Sequence, residues 1–279
     1  MSKTQRHQHE LHLLFSEFLQ TGDKKKVTKY LLDNSNLPGR RANLELAKAF
    51  TKVIEENWDK NEEILWSLIT SLIKITSNQA PVNDPQEFLP FCATWALGSI
   101  GAISKVHYTE SLQFLRELSK DSRWRIREAV AKGIHRLIKE RGLNLLEELQ
   151  TWIVTDQWLP MRAVVTGVAE PSVLKDNHII NQALELHKEV LNQVRSSKNR
   201  KTDDFKALRK GLAYSLSVVV QSTPEDGFKY LEKLIGYEDE DILWILKQNL
   251  GKNRLIKNYP VKVNALNKKL RHSNLNHQE

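Results

Sequence analysis

Apolar residues recur along the chain at the three-to-four-residue spacing of amphipathic helices. In the first such segment, residues 4–19, Leu11, Leu14, Phe15 and Phe18 share one face. Alternating runs of Val, Ile and Thr between Gly-rich turns, which would indicate strands, are nearly absent. The pattern therefore predicts an all-α protein of roughly 13 to 15 helices.

Four of the predicted helices share a frame, which consists of a cation, a branched apolar residue three positions later and then a small residue. The frames begin at Arg127, Arg162, Arg209 and Lys247, so successive starts lie 35, 47 and 38 residues apart. This is the period of two-helix repeats of the HEAT or armadillo kind. A single repeat cannot bury its apolar face alone, so repeats stack on one another. The sequence thus predicts a right-handed α–α superhelix, a solenoid of stacked helical pairs with a concave binding surface.

The turn residues suggest how this solenoid is organised. Residues 77–90 contain three prolines and two asparagines and form the longest irregular segment. We expect an N-terminal helical cap region over residues 1–90 and HEAT-like repeats over residues 91–258. A basic C-terminal helix and tail, residues 259–279, would complete one continuous solenoid.

Composition limits the cellular compartments and the kinds of functional site that the sequence is compatible with. The single cysteine, Cys92, excludes an internal disulfide and lies in an apolar run, which predicts a buried, unreactive thiol in a reducing compartment. The polar start of the chain and the lack of long apolar stretches favour a cytoplasmic protein with no membrane partner. Of His7, His9 and His12 only the last two share a face, and no second cluster completes a metal site. Because phosphate-binding glycine loops and nucleophile elbows are also missing from the sequence, we expect no catalytic residue, cofactor or metal.

Charge is distributed unevenly along the chain. The net charge is +8, and the residues from Ile242 onward carry six lysines and two arginines against one acid, Glu279. This basic end is typical of attraction to polyanions such as nucleic acid, and equally of a helix kept soluble by lysine.

One predicted helix, residues 123–141, combines a buried stripe with a basic face. At 100° per residue, the stripe consists of Ile126, Val130, Gly133 and Leu137. A different face carries Arg125, Lys132, Arg136 and Lys139. These cations form either a rail for phosphates or an exposed face that pairs with nearby acids such as Glu147 and Glu148. Arg127, beside the stripe, either bonds a neighbouring acid or helix end or faces a ligand.

Aromatic residues lie in or near the repeat frames. Trp95, Trp124, Tyr214 and Trp244 are candidates to line the groove. Such rings stack on bases when they alternate with cations, and they also seal helix interfaces.

Two stretches carry a resemblance to a known family. Residues 207–216, which contain Arg209-Lys210-Gly-Leu-Ala-Tyr214 and are followed by Pro224-Glu225, resemble the R-K-x-I-x-W-A-L run and proline of the HEAT-like bacterial alkylpurine DNA glycosylases. Arg123-Trp124-Arg-Ile-Arg127-Glu-Ala129 is similar to their R-W-x-R-R-x-A segment. The chain also resembles uncharacterised bacterial HEAT-repeat proteins over residues 37–46 and in the closing Trp244…Arg254-Leu255. This resemblance implies a helical-repeat fold and a DNA-binding concave face.

The sequence departs from the glycosylase pattern at three positions, which implies that the excision of alkylated bases is lost. Trp95-Ala-Leu-Gly-Ser99 falls where the family has a W-x-x-x-D motif, and a neutral serine cannot stabilise positive charge on a sugar. Tyr214 replaces the tryptophan of the R-K run, and Glu128 replaces one of the paired arginines.

The sequence therefore favours a non-enzymatic scaffold that holds a protein partner in its groove. The alternative is a nucleic-acid-binding module related to the alkylation-repair proteins. Its candidate contacts are Arg125, Arg127, Lys132, Arg136, Lys139, Arg209 and Lys210, with Trp95, Trp124, Tyr214 and Trp244 as groove aromatics.

Overall fold

The structure is a computed structural model that describes residues 2–275, with side chains described as far as residue 271. Over this range the chain forms fourteen α-helices and one short 3₁₀ helix, and it contains no strand. The predicted all-α class is confirmed. No helix within the described residues is long and apolar enough to cross a membrane.

The chain divides into two compact units, the first ending at Glu140 and the second beginning at Arg141. The helices assigned to the first unit are α1 (Lys3–Thr21), α2 (Lys25–Asp33), α3 (Leu44–Ile73), the 3₁₀ helix Pro85–Glu87, α4 (Phe88–Ile103), α5 (Tyr108–Leu118) and, but for its last residue, α6 (Trp124–Arg141). Those of the second unit are α7 (Leu143–Gln150), α8 (Trp158–Val168), α9 (Asn177–Ser196), α10 (Asp203–Ser222), α11 (Pro224–Ile235), α12 (Glu240–Leu250), α13 (Asn253–Asn258) and α14 (Pro260–Leu275).

The core of the first unit is built around α3 and α4. The two helices pack against each other, α1 packs on α3, and α5 packs on α4. The predicted apolar face of α1 is buried at Leu11, Phe15 and Phe18, and the Phe15 ring meets Phe50 of α3 edge-on at 5.8 Å. Helix α3 bends at Asn61, whose φ of −139° and ψ of 29° are not helical. The sequence pattern predicts two helices here, over about residues 41–56 and 59–75, so the predicted break at residues 57–58 lies just before the observed bend.

Helices α4 and α6 approach each other at two glycines. A Cβ added to Gly98 would lie 2.1 Å from the Cα of Gly133, so only hydrogen fits at that position. The predicted buried stripe of α6 is confirmed, since Ile126, Val130 and Leu137 are fully buried.

A buried arginine fixes the segment between α3 and α4. Arg123 is 1% exposed, and its Nε and Nη2 donate to both carboxylate oxygens of Asp121 at 2.9 and 2.6 Å. Its two terminal nitrogens also donate to the carbonyl oxygens of Ala80 at 3.2 Å and Ile75 at 3.0 Å. One guanidinium thus satisfies two backbone carbonyls far away in the sequence, with a carboxylate to balance its charge.

Three of the four repeat frames lie on helices of the second unit that pack in succession, α8 on α10 and α10 on α12. The branched residues of these frames, Val165, Leu212 and Leu250, are all buried. Asn249 joins two of the helices, because its amide nitrogen donates to the Leu212 carbonyl at 2.9 Å and its Oδ1 accepts from the Ser217 backbone at 2.8 Å. The frames therefore mark buried positions on helices that pack in succession, while the superhelix that the period predicts stays a prediction. The predicted boundary at residue 90 falls in the first turn of α4, and that at residue 258 coincides with the end of α13.

The second unit buries an uncharged histidine. His187 in α9 is fully buried, with its Nδ1 2.8 Å from the Ala183 carbonyl oxygen and its Nε2 2.9 Å from the Ser215 hydroxyl. The carbonyl requires Nδ1 to donate, so Nε2 accepts from Ser215. Burial lowers the pKa of His187 from 6.5 to about 4, because desolvation disfavours the imidazolium.

This histidine makes the second unit acid-sensitive. In the unfolded chain His187 binds a proton near pH 6.5, and in the folded chain only near pH 4. The full free energy of unfolding is therefore present above pH 6.5, and part of it is lost as the pH falls towards 4, because the unfolded chain then binds the proton more readily. We expect the free energy of unfolding to fall by about 2 kcal/mol between pH 7 and pH 5 from this group alone. Urea denaturation of His187→Gln across this range should show a correspondingly shallower pH dependence. The control is His178→Gln, an exposed histidine of the same helix, and equal slopes for His187→Gln and the unmodified protein would contradict the assignment.

Candidate binding cleft of the first unit

An aromatic cleft of about 260 Å³ opens beside α4 and α6. Its apolar lining comes from the loop before α3 and the first residue of that helix, from α4 and from the start of α6. The lining consists of Arg41, Ala42, Leu44, Phe91, Trp95, Trp124, Arg125, Glu128 and Lys132. We call this site the aromatic cleft.

Helix packing explains why these side chains meet. Trp95 lies one turn before Gly98 on α4, and Lys132 immediately precedes Gly133 on α6. Because the two glycines let the helix backbones touch, the side chains beside them are brought to the same cleft. Trp124 begins α6 and Leu44 begins α3, so both lie at helix starts. Trp124 remains 43% exposed and Leu44 47% exposed.

A buried ion pair holds the loop that precedes α3. Arg125 is 4% exposed, and its Nη1 donates to Glu87 Oε2 at 2.9 Å. Its Nη2 donates to the Gly39 carbonyl oxygen at 2.7 Å, while the Gly39 amide donates to Asn83 Oδ1 at 2.9 Å. The backbone amide of Asn83 in turn donates to Glu87 Oε2 at 2.7 Å. We call Arg125, Glu87, Asn83 and Gly39 the Arg125–Glu87 network.

The same guanidinium also supports the cleft wall. The Cζ of Arg125 lies 4.5 Å from the centroid of the Trp124 ring, a cation–π distance. Arg125 therefore touches both the loop that leads to Arg41 and the aromatic ring across from it.

The rim of the cleft carries positive charge without internal neutralisation. Arg41 and Lys132 form no ion pair with any residue that the structure describes. Glu128 is the single acid among the lining residues, and it has interactions of its own. The charge of Arg125 is balanced by Glu87. The site therefore combines an aromatic floor with two cations that are available to an anionic group.

The predicted basic face of α6 is not one exposed row. Arg125 is buried in the Arg125–Glu87 network, which corrects its predicted placement beside Lys132, Arg136 and Lys139. Arg136 is bound to Glu55 at 2.9 Å and to Glu140 at 2.8 Å, and these two carboxylates raise its pKa although burial opposes this. Lys132 is half-buried at the cleft and Lys139 is exposed.

Arg127 binds backbone carbonyls of the loop between α5 and α6, rather than the last turn of a neighbouring helix. Its Nη1 donates to the carbonyl oxygens of Asp121 at 2.6 Å and Ser122 at 2.9 Å, just after α5.

The remaining predicted residues lie in the second unit. Arg209 donates to Asp241 at 2.6 Å, and its Cζ lies 4.3 Å from the centroid of the Trp244 ring. Lys210 is exposed, and Tyr214 and Trp244 are partly exposed. The structure thus groups Arg209 with Trp244 and groups Trp95, Trp124, Arg125 and Lys132 at the aromatic cleft.

Sequence reasoning did not single out Arg41, Ala42, Leu44 and Phe91 as site residues. The first three belong to the stretch 37–46 that carries the resemblance to bacterial HEAT-repeat proteins, and that stretch was the available signal. Ser99, which the resemblance matches to the glycosylase carboxylate, is 1% exposed. Among the described residues no group of three or more His, Cys, Asp or Glu side chains is placed to hold a metal ion.

Comparison of the chain with models of protein families, with curated proteins and with solved structures finds no match.

Proposed function

We propose that the chain is a non-enzymatic binding module that holds a segment of a partner protein in the aromatic cleft. The observation that carries the proposal is the exposure of Trp124 and Leu44 on the rim of one cleft, at 43% and 47%. Large apolar side chains grouped around a pocket mark interaction sites on soluble proteins. Tryptophan and arginine are also the residues that dominate protein–protein binding energy.

The first unit holds these side chains in place, which lowers the conformational entropy lost on binding. Phe91 and Trp95 are fixed by the packing of α4, and Trp124 rests on the buried Arg125. A partner side chain that enters the cleft removes apolar surface from water at about 25 cal/mol per Å².

Photo-cross-linking tests this function directly. With a benzophenone side chain in place of Leu44, we expect irradiation in cells that express the protein to give a discrete protein adduct. Trp124→Ala in the same chain should remove that adduct, because it removes the cleft wall.

The matched control places the benzophenone at Val106, which is 80% exposed but lies outside the cleft. Equal adducts from both positions, or an adduct at Leu44 that Trp124→Ala does not change, would rule out the cleft. An adduct that nuclease treatment returns to the size of the uncross-linked chain would favour nucleic acid as the partner.

A second candidate function, nucleic-acid binding, is favoured by a separate observation in the second unit. Six cations of its C-terminal helices form no ion pair within the described residues, namely Lys247, Lys252, Arg254, Lys257, Lys268 and Arg271. Lys262 and Lys269 of the same segment bind Glu225 and Glu232. Unpaired cations of this kind release counterions from a phosphate backbone, which drives sequence-independent binding.

A further inference from the structure

We propose that the segment held in the aromatic cleft is an acidic peptide, with one large apolar anchor residue next to a carboxylate. This inference rests on the proposed function and goes beyond it by naming the chemistry of the partner. It follows from three properties of the site: its size, its uncompensated charge and the way its cations are held.

The size of the cleft limits the anchor to a single side chain. At about 260 Å³ the cleft is smaller than the pockets that enclose whole small molecules, which begin near 300 Å³. Its floor is formed by Phe91 and Trp95, with Leu44 and Trp124 at the rim. An aromatic or large aliphatic side chain is the group that buries the most apolar surface in such a space.

The charge at the rim selects what lies beside the anchor. Arg41 and Lys132 both line the cleft, and neither forms an ion pair with a described residue. Arg40, which precedes Arg41, is exposed and likewise has no such pair. Glu128 is the one acidic residue that lines the cleft with these cations. A carboxylate that neighbours the anchor would gain charge-assisted hydrogen bonds from these cations, whereas a lysine there would be repelled.

The Arg125–Glu87 network fixes where this charge is presented. The Gly39 carbonyl is held by Arg125 and the Gly39 amide by Asn83, so the backbone two residues before Arg41 is bonded on both sides. On the other side of the site, Ala42 is buried and Asn43 caps α3 by accepting from the Leu46 amide at 3.0 Å. With both ends of the short Arg40–Arg41 segment fixed, its cations lose little backbone entropy when they bind an anion.

The observations favour a peptide over a nucleic acid at this site. A phosphate backbone needs a row of available cations, and on α6 both Arg125 and Arg136 are already bound to carboxylates.

A peptide array tests the inference on the full chain. The probes are short Gly/Ser peptides with a central Trp, Phe, Leu or Ala, flanked on each side by Glu, Gln or Lys. We expect binding to require a large apolar centre, and we expect Glu flanks to bind about tenfold more tightly than Gln flanks, with Lys flanks weaker still. Fluorescence anisotropy of the best labelled peptide then gives its dissociation constant.

Variants of the protein assign the preference to named cations. Arg41→Gln and Lys132→Gln should each weaken the Glu-flanked peptide and leave the Gln-flanked peptide nearly unchanged. Lys105→Gln is the matched control, since Lys105 is an exposed, unpaired cation of the first unit that does not line the cleft. Trp124→Ala should weaken every peptide regardless of its flanks.

The outcomes separate this inference from the proposed function. Equal binding of Glu-, Gln- and Lys-flanked peptides would overturn the acidic preference, and the cleft would still stand as an anchor site. If no peptide binds, the inference is overturned, and the Leu44 cross-linking result decides the function independently. A labelled single-stranded oligonucleotide that binds more tightly than any peptide, and depends on Trp124 and Lys132, would overturn it in favour of nucleic acid.

Discussion

Replacing Arg123 by alanine is expected to lower the free energy of unfolding of the first unit by about 3–5 kcal/mol. The guanidinium is 1% exposed and neutralises Asp121. Its loss removes both side-chain donors from the Asp121 carboxylate, which keeps only the backbone amide of residue 123, and it removes the Arg123 donors from the carbonyls of Ile75 and Ala80. Buried acceptors that lose their partner carry the full cost of desolvation.

Urea denaturation checks this expectation, and hydrogen exchange should show faster exchange across residues 75–84. The matched control is Lys120→Ala, because Lys120 is exposed and forms only a surface pair with Glu117; such pairs contribute at most about 1 kcal/mol. A loss below about 1 kcal/mol for Arg123→Ala would contradict the structural role given to this residue.

The second large effect is expected at Gly98. A Cβ there would lie 2.1 Å from Gly133 Cα and 2.5 Å from its carbonyl oxygen, and backbone atoms cannot give way as a flexible side chain can. Gly98→Ala must therefore push α4 and α6 apart, at a cost of about 3 kcal/mol or more. The displacement would also widen the aromatic cleft, so the Leu44 cross-link should weaken together with stability.

Gly133→Ala is the matched control on the facing helix. Its Cβ would meet Leu115 Cδ2 at 3.1 Å, which a small movement of that side chain relieves, and Gly98 Cα at 3.4 Å, an ordinary van der Waals distance. Alanine also favours the helix by about 1 kcal/mol over glycine, so the two effects should nearly cancel. Thermal and urea denaturation of the two variants should differ clearly, and equal losses would show that the close approach is not as tight as the structure has it.

Local features of the fold could be predicted because local physics determines them. The apolar spacing of Leu11, Phe15 and Phe18 predicts the helix that buries them, and Gly22 ends that helix with a φ of +74°. The stripe on α6 was likewise readable, since burial follows the helical period. The position of the bend at Asn61 could not be predicted, because the sequence pattern ends one helix near residue 56 and begins the next near residue 59, which places Asn61 inside a helix.

The placement of Arg125 could not be predicted from the helical period. At 100° per residue it shares a face with Lys132 and Arg136. What buries it is tertiary, namely Glu87 and Gly39, which lie 38 and 86 residues away in the sequence. The helical period predicts which residues share a face of a helix. It does not predict which part of that face another segment of the chain will cover.

The cleft was only half predictable for a similar reason. Trp95 and Trp124 stand out by residue type, but the exposure of Trp124 depends on how α6 meets the loop before α3. Leu44 resembles any core leucine of an amphipathic helix, and only its position in the first turn of α3 leaves it 47% exposed.

The burial of Cys92 makes its thiol a probe of how often the first unit opens. This thiol is the single cysteine of the chain; it is fully buried in α4, and burial raises its pKa well above the usual range. A thiol reagent can reach it only when α4 separates from its neighbours, so the rate of labelling under native conditions measures how often that opening occurs. Cys92 directly follows Phe91 of the cleft floor. A ligand in the cleft that holds α4 in place would therefore slow the labelling of Cys92, and a ligand that binds elsewhere would not.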